Sequence, residues 1–259
     1  MRDQSQNIPY YNNQIKKLVL HLKKLNMTTY LSIYENDSID NTKNILKNSQ
    51  WNFMEDRIEI ISENLKTKKY GSVMDSQRVH NLAAARMKSI RVRNCEFLNK
   101  SDWVLVIEPD CVYKIGDIEK LILFKERYNL CNVDIVSGVT IKDLNNSQMK
   151  SRDTWATRKT SEVHPTKHDN LYDNWLLVNY QKYYSTFNAV CLYKSEVIRK
   201  GASFSGYNER YKMFDCDTAV ICEQFHKLNY SDIYIDHTIR NAHFKTGKVD
   251  EKILNLIKY

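Results

Sequence analysis

Two carboxylates two positions apart, Glu108 and Asp110, end the most apolar run of the chain, DWVLVIEPD from Asp102 to Asp110. In an extended chain such residues project to one side, so both carboxylates face the same crevice. Together at the end of a buried strand they repel each other unless a cation lies between them. A hard divalent cation with oxygen ligands, Mn²⁺ or Mg²⁺, meets that need and can also hold a diphosphate. The same residues also suit a plain turn, since Pro-Asp is good turn chemistry.

A second polar cluster stands at another strand end. The run TTYLSIYENDSIDNTKNIL stops being apolar at Tyr34 and continues with Glu35, Asn36, Asp37, Ser38 and Asp40 before a helical pattern begins. Ser38 or Asp40 can cap that helix, but a cap needs only one such residue. The surplus suggests acceptors for a nucleobase and for ribose hydroxyls. In MFDCDTAVICEQF, Asp217, Val220, Ile221, Gln224, Phe225 and Leu228 share one helical stripe. Asp217 therefore opens the inward face, where the helix dipole favours a carboxylate and an acceptor sugar can meet it. Helix capping explains one of Asp215 and Asp217 comfortably, and both less well. In IDHTIRNAHF, Asp236, His237, Arg240 and His243 crowd beyond a strand, and His243 is the histidine placed to complete a metal site. Arg86, on a helix's inner stripe, needs an anionic partner, either a diphosphate or a structural aspartate. His164 and His168 stand at a ligand-like spacing with no third ligand nearby and read as solvated.

These residues need elements to hold them. Helical periodicity covers Tyr11 to Leu25, Asn41 to Lys47, Gln77 to Phe97, Ile115 to Tyr128 and Phe214 to Leu228. Strands are expected at Thr29 to Tyr34, Arg57 to Ile61, Asp102 to Asp110, Val133 to Val139, Phe187 to Tyr193 and Asp232 to Asp236. Helices and strands alternate, which predicts a single α/β domain with a mostly parallel, mixed sheet flanked by helices. The strand at Asp102 to Asp110 is expected to be buried on both faces. Residues 142–182 form a long polar loop carrying Trp155, Tyr172 and Trp175, rings on which a sugar can stack or which simply pack the loop. In a parallel α/β sheet, ligands bind outside the carboxyl ends of strands, where Glu35 and Asp110 lie.

The composition narrows the partners. Hydrophobic residues make up 42% and charged residues 27%, as in ordinary globular proteins. The net charge of +8 comes from scattered lysines without a compact basic tract, so nucleic acid is not an expected partner. No apolar stretch reaches the ~18 residues of a membrane span, and no signal-peptide core opens the chain. The six cysteines contain no CxxC pair, which fits reduced, buried thiols and a soluble cytoplasmic protein.

Taken in order, YLSIYENDSIDNTKNIL, QRVHNLAAARMKSI with its Leu-Ala-x-x-Arg core, and VIEPDCVY resemble glycosyltransferases of the GT-A fold, a Rossmann-like sheet. More narrowly they resemble the fungal capsule-associated α-1,3-mannosyltransferases, and YDNW and FNAVCLYKSEVI continue the likeness from about Ile8 to His243. The resemblance implies a nucleotide-sugar donor (a GDP-sugar, GDP-mannose first, or a UDP-sugar), a divalent metal and a glycan acceptor. It places the donor in a nucleotide-sugar-binding half over about residues 1–140 and the acceptor over 141–259. By the same likeness Glu35 and the Asp37–Asp40 turn, Ser38 included, hold the nucleoside. Glu108 and Asp110 stand at the Asp-x-Asp metal motif with His243 as its C-terminal partner. Asp215 and Asp217 face the acceptor as the catalytic pair, and Phe187-Asn188-Ala189 approaches the donor sugar.

Three departures are visible: Glu108 for the first aspartate, Asn188-Ala189 where glycine is common, and MRDQSQNIP, which reads as the tail of an opening strand. If the transfer inverts configuration, Asp217 is the general base; if it retains, as the likeness favours, Asp217 orients the acceptor. The rivals are a sugar nucleotidyltransferase, which should carry a glycine-rich basic phosphate loop that is not visible, and a non-catalytic glycan- or nucleotide-binding protein.

Overall fold

The computed structural model describes residues 1–71, 74–141, 154–167 and 178–243. Helix α1 (Ile8–Lys24) starts with Pro9, whose missing N–H costs nothing in a first turn, and ends on His21, Lys23 and Lys24, which complement the helix dipole. Strands β1 (Leu31–Asn36) and β2 (Ile58–Glu63) pair in parallel, Leu31 opposite Ile58, with α2 (Thr42–Asn48) between them in the chain. Ile8, Ile33, Leu46 and Trp51 form the core of this part. Met1 lies beside β1 as a strand would: its amine donates to the Tyr34 carbonyl, and Asn36 N donates to its carbonyl at 3.3 Å.

The helix expected over 77–97 breaks in two. Asp75 caps α3 (Ser76–Ile90) by accepting from Arg78 N at 2.9 Å. Then α4 (Val92–Asn99) contains Arg93, Asn94 and Cys95 in left-handed conformation, with φ of 47°, 51° and 67°. The Arg93 guanidinium donates to Glu59 at 2.9 Å and to the carbonyls of Asp56 and Ile58 at 2.9 and 3.0 Å. That tertiary clamp on β2 opposes straight continuation of the helix, and local periodicity does not register it.

The second half of the chain builds the larger sheet from β3 (Trp103–Ile107), β4 (Cys111–Val112), β5 (Ile135–Ile141), β6 (Tyr180–Lys182), β7 (Val190–Lys194) and β10 (Ile233–His243). Helices α5 (Ile115–Ile122), α6 (Phe124–Arg127), α7 (Ser195–Arg199) and α8 (Asp217–Lys227) flank it, and the short strands β8 (Tyr207–Asn208) and β9 (Met213–Phe214) pair apart. The helix expected over 115–128 therefore divides at Leu123. The strand order is β3-β7-β5-β10-β4, with β6 also on β10. β5 and β10 run parallel, whereas β7, β6 and β4 run antiparallel to their neighbours, so the architecture is α/β around a mixed sheet.

Alternation along the strands divides the core. Val136 and Leu192 pack with Leu18, Leu22, Ile118, Leu121 and Phe124 under α1 and α5. Ile135 and Tyr193 pack on the other face with Ile90, Val197, Ile221 and Phe225. Burial of the strand at Asp102 to Asp110 on both faces is not observed: Trp103 to Ile107 are all half-buried. Among the described residues, β3 pairs along one edge only, with β7. Cys111, Cys191, Cys216 and Cys222 are buried, and no disulfide links the six cysteines. Among the described residues no helix is long and apolar enough to cross a membrane.

β10 is far longer than the expected Asp232 to Asp236, because its register against β5 shifts between Ile235 and Arg240 and pairing then resumes. Gly138 of β5 lies at this irregularity, where a Cβ would come within 2.5 Å of Ile239 Cγ2 and 2.9 Å of its carbonyl oxygen. Gly138→Ala is expected to lower the unfolding free energy in urea by ~1–3 kcal/mol through overpacking. Gly116→Ala, on α5 with open space around it, should leave stability unchanged or raise it by up to ~1 kcal/mol. Equal effects of the two substitutions would contradict this packing.

Candidate active site

The antiparallel pairing of β10 with β4 brings the end of the long strand back to the Glu108-Pro109-Asp110 turn: His243 stands opposite Cys111 and Ala242 opposite Val112. The turn closes by Cys111 N donating to Glu108 O at 3.1 Å, and Glu108 N donates to Ala189 O at 2.9 Å. His243 Nδ1 lies 3.0 Å from Asp110 Oδ1, and Nε2 lies 3.5 Å from Glu108 Oε2. The ligand-capable atoms of Glu108, Asp110 and His243 all fall within 4.8 Å of one another. Residues 135 positions apart in the sequence thus form one half-buried carboxylate–imidazole cluster.

Arg86 joins this cluster to the start of α8. Its guanidinium donates to Glu108 Oε1 at 3.0 Å and, in a closer ion pair, to the Asp217 carboxylate. It stacks over Phe187 at 4.9 Å and Phe204 at 5.7 Å. Burial alone would pull the guanidinium pKa down, but Asp217 and Glu108 outweigh it and hold the group above its ordinary value. The anionic partner that Arg86 needs is therefore present within the chain. Asp217 sits in the first turn of α8 and is 2% exposed.

Asp215 is placed differently. It is fully buried and receives a two-pronged ion pair from Arg158, one arm at 3.0 Å. Asn208 Nδ2 and Cys216 N donate to it as well, each at 2.7 Å. These bonds tie the segment around Arg158 to the start of α8, and they fill the carboxylate's acceptor sites. Nothing in the spacing of TWATRKTS marks Arg158 as that partner; a buried aspartate two residues before Asp217 was the one available signal.

The Glu35–Asp40 turn is also bonded within the chain. Glu35, fully buried, accepts from Ser38 N at 2.8 Å and from the Ser62 hydroxyl. Asp37, at φ 56°, accepts from Lys66 N at 2.7 Å, Thr67 N at 3.0 Å, Asn36 Nδ2 at 3.0 Å and the Thr67 hydroxyl. Asp40 accepts from Thr42 N and Ser5 N, both at 3.0 Å, and Ser38 Oγ accepts from Asp3 N at 2.9 Å. Burial would raise both aspartates, but these donors prevail. They hold Asp37 well below the usual carboxylate range and Asp40 at about 2. The polar surplus beyond one cap thus clasps the N-terminal segment and the Lys66–Thr67 loop to the end of β1.

Asn188 turns its side chain inward. Its Nδ2 lies 2.9 Å from Thr186 Oγ1, 3.3 Å from Ser137 Oγ and 3.4 Å from Thr157 Oγ1, and the residue is 1% exposed. Asn188 and Ala189 have φ of 51° and 60°, the conformation that glycine adopts freely and that costs an L-residue roughly 1 kcal/mol. Of the IDHTIRNAHF group only His243 reaches the cluster. Asp236 pairs with Arg127 at 2.7 Å and His237 Nδ1 meets the Val178 carbonyl at 3.0 Å. Lying within β10 rather than beyond a strand, these residues are spread along it. Trp155 donates to Pro165 O at 2.7 Å and packs on the core, and His164, which reads as solvated in the sequence, is half-buried, contacting Thr166 Oγ1 at 2.9 Å and the Tyr211 ring edge-on at 5.0 Å. His168, Tyr172 and Trp175 lie outside the described residues.

No curated protein matches the chain. Among solved structures, an apo UDP-glucose pyrophosphorylase is similar over 94% of this chain and 85% of that one, at 8% identity and a TM-score of 0.39, a likeness too slight to bear on fold or activity. The family model described as Cryptococcal mannosyltransferase 1 matches residues 1–215, which include the Glu35–Asp40 turn, Arg86, Glu108, Asp110 and Asp215. The chain therefore belongs to the Cryptococcal mannosyltransferase 1 family, whose name is that of a glycosyltransferase.

Proposed function

We propose that the chain is a metal-dependent glycosyltransferase of GT-A type that moves mannose from a GDP-sugar to a hydroxyl of a glycan acceptor. The observation that carries this reading is the joining of Glu108, Asp110 and His243 to Asp217 through Arg86. Two carboxylates and an imidazole nitrogen suit a borderline-hard divalent cation, and Mn²⁺ accepts such a mixed set more readily than Mg²⁺. Asp110, Glu108 and His243 would hold that ion, which when bound offsets charge on the departing nucleoside diphosphate.

The chain's own residues supply the rest. Arg86 carries a fixed positive charge between the metal ligands and α8, within reach of a diphosphate at the Glu108 turn. Asp217, held by Arg86, orients the acceptor hydroxyl, whose oxygen bonds the sugar's anomeric carbon as the bond to the diphosphate breaks, and the departing diphosphate takes the hydroxyl proton. Asp215 positions Asp217 by fixing the start of α8 against the Arg158 segment, so we assign it no contact with substrate. The Glu35–Asp40 turn serves the nucleoside end as a rigid wall, its carboxylates being committed to backbone donors. Asn188 contributes through the backbone turn it sets rather than through its amide. On this reading residues 1–140 bind most of the donor, and 141–259 meet the acceptor, with His243 crossing over to the diphosphate.

Nucleoside-diphosphate release from a panel of sugar nucleotides tests the reaction class. GDP-mannose should be hydrolysed slowly with Mn²⁺, and chelator or Asp110→Ala should abolish release. Release indifferent to chelator, or silence across the panel in folded protein, would overturn the proposal. A second prediction separates the two aspartates. Asp215→Asn should destabilise the fold by roughly 3–5 kcal/mol because Arg158 loses its charged partner. Asp217→Asn should destabilise less, since Arg86 keeps Glu108, yet lower turnover ~100-fold by misplacing the acceptor. The reverse pattern in urea unfolding and steady-state rates would contradict the assignment.

A further inference from the structure

We propose that Asn241, with Thr140 behind it, is a positioning residue that sets the spacing between His243 and the Glu108 turn. The inference rests on the metal reading of Glu108, Asp110 and His243 given above. Asn241 lies on β10 two residues before His243, so the two side chains project from the same side of the strand, and it is 1% exposed. Its Nδ2 donates to Asn188 O at 3.0 Å, and its Oδ1 accepts from Thr140 Oγ1 at 2.7 Å. Thr140 is the parallel neighbour of Asn241 on β5 and is fully buried, so the amide is fixed in one orientation.

The Asn188 carbonyl also accepts from Val190 N at 2.7 Å, and the next carbonyl, Ala189 O, accepts from Glu108 N at 2.9 Å. A continuous run of hydrogen bonds therefore joins Thr140, Asn241, the Asn188-Ala189 turn and Glu108. It connects the strand that carries His243 to the turn that carries Glu108 and Asp110. Both residues of the connecting turn are left-handed. Such a backbone relaxes unless its surroundings hold it, and here the Asn241 amide grips one carbonyl while three hydroxyls surround the Asn188 side chain. Loss of the Asn241 donor leaves a buried carbonyl without that partner and frees the turn to move, and Glu108 N moves with it. Outer partners of metal ligands act in this way on affinity without touching the ion.

The test is Mn²⁺ binding to the full chain, followed by the paramagnetic signal of free Mn²⁺, with circular dichroism to confirm folding. Asp110→Ala should abolish binding. Asn241→Leu, close in volume, should weaken Mn²⁺ binding ~10–100-fold. Thr140→Val should weaken it several-fold and Thr140→Ser should restore it. Val197→Ala, a core truncation on α7, should lower the melting temperature and leave Mn²⁺ affinity as it was. If Asn241→Leu does not fold, the Thr140 pair decides. Unchanged affinity in Asn241→Leu or Thr140→Val, with Asp110→Ala dead, overturns this inference and leaves the metal reading standing. Absent binding by the wild type, or binding that survives Asp110→Ala, overturns the metal reading and this inference together.

Discussion

A largely buried guanidinium holds the candidate site together. Arg86 stands on α3, bonds Glu108 at the end of β3 and Asp217 at the start of α8, and rests on the rings of Phe187 and Phe204. Removing such a cation from water is costly unless its charge is matched and its donors are filled. Two carboxylates from distant parts of the chain match the charge and take one arm each, and Asp217, 2% exposed, would itself be poorly placed in the interior alone. The constraint is mutual for Arg86 and Asp217, and half-buried Glu108 completes the match, so three elements converge on the guanidinium. The convergence places the acid at the head of α8 beside the carboxylate–imidazole cluster, which turns a set of charged residues into one site.

The same rule explains why polar clusters of similar appearance do different work. Asp37 and Asp40 look like a binding surface in the sequence because so many acceptors follow one another. Backbone N–H groups of Ser5, Thr42, Lys66 and Thr67 take them up, and the carboxylates are held ionised by that fixed company. Asp215 is taken up by Arg158 and Asn208 in the same way. The Glu108–Asp110–His243 cluster differs in kind: three groups that are ligands by chemistry face one another at half-buried positions. A dense acidic sequence shows that partners are needed, and the folded chain shows whether they come from within.

Much of the fold was legible along the chain. The alternation of helix and strand, the stripe of α1 and the inward carboxylate of α8 follow from periodicity and residue chemistry, whereas the nearness of His243 to Glu108 and Asp110 was implied by the family resemblance. What was not legible depends on contacts between distant segments. The break after Ile90 answers to the grip of Arg93 on β2, β3 is half-buried because of where it sits in the strand order, and β10 outruns its apolar core through pairing with β5 and β4. Likewise Asn188 has the right composition for a donor contact, but three hydroxyls from separate segments turn its amide inward. Local spacing names candidate groups, while satisfaction of each buried polar group decides which of them remain for a ligand.

The most direct measurement is anomalous diffraction from crystals of the chain grown with Mn²⁺ and a nucleoside diphosphate. The account predicts one strong manganese peak bounded by Asp110, Glu108 and His243, with the diphosphate on the side facing Arg86. A manganese peak elsewhere, or a diphosphate bound away from Arg86 with these three residues bare, would contradict it.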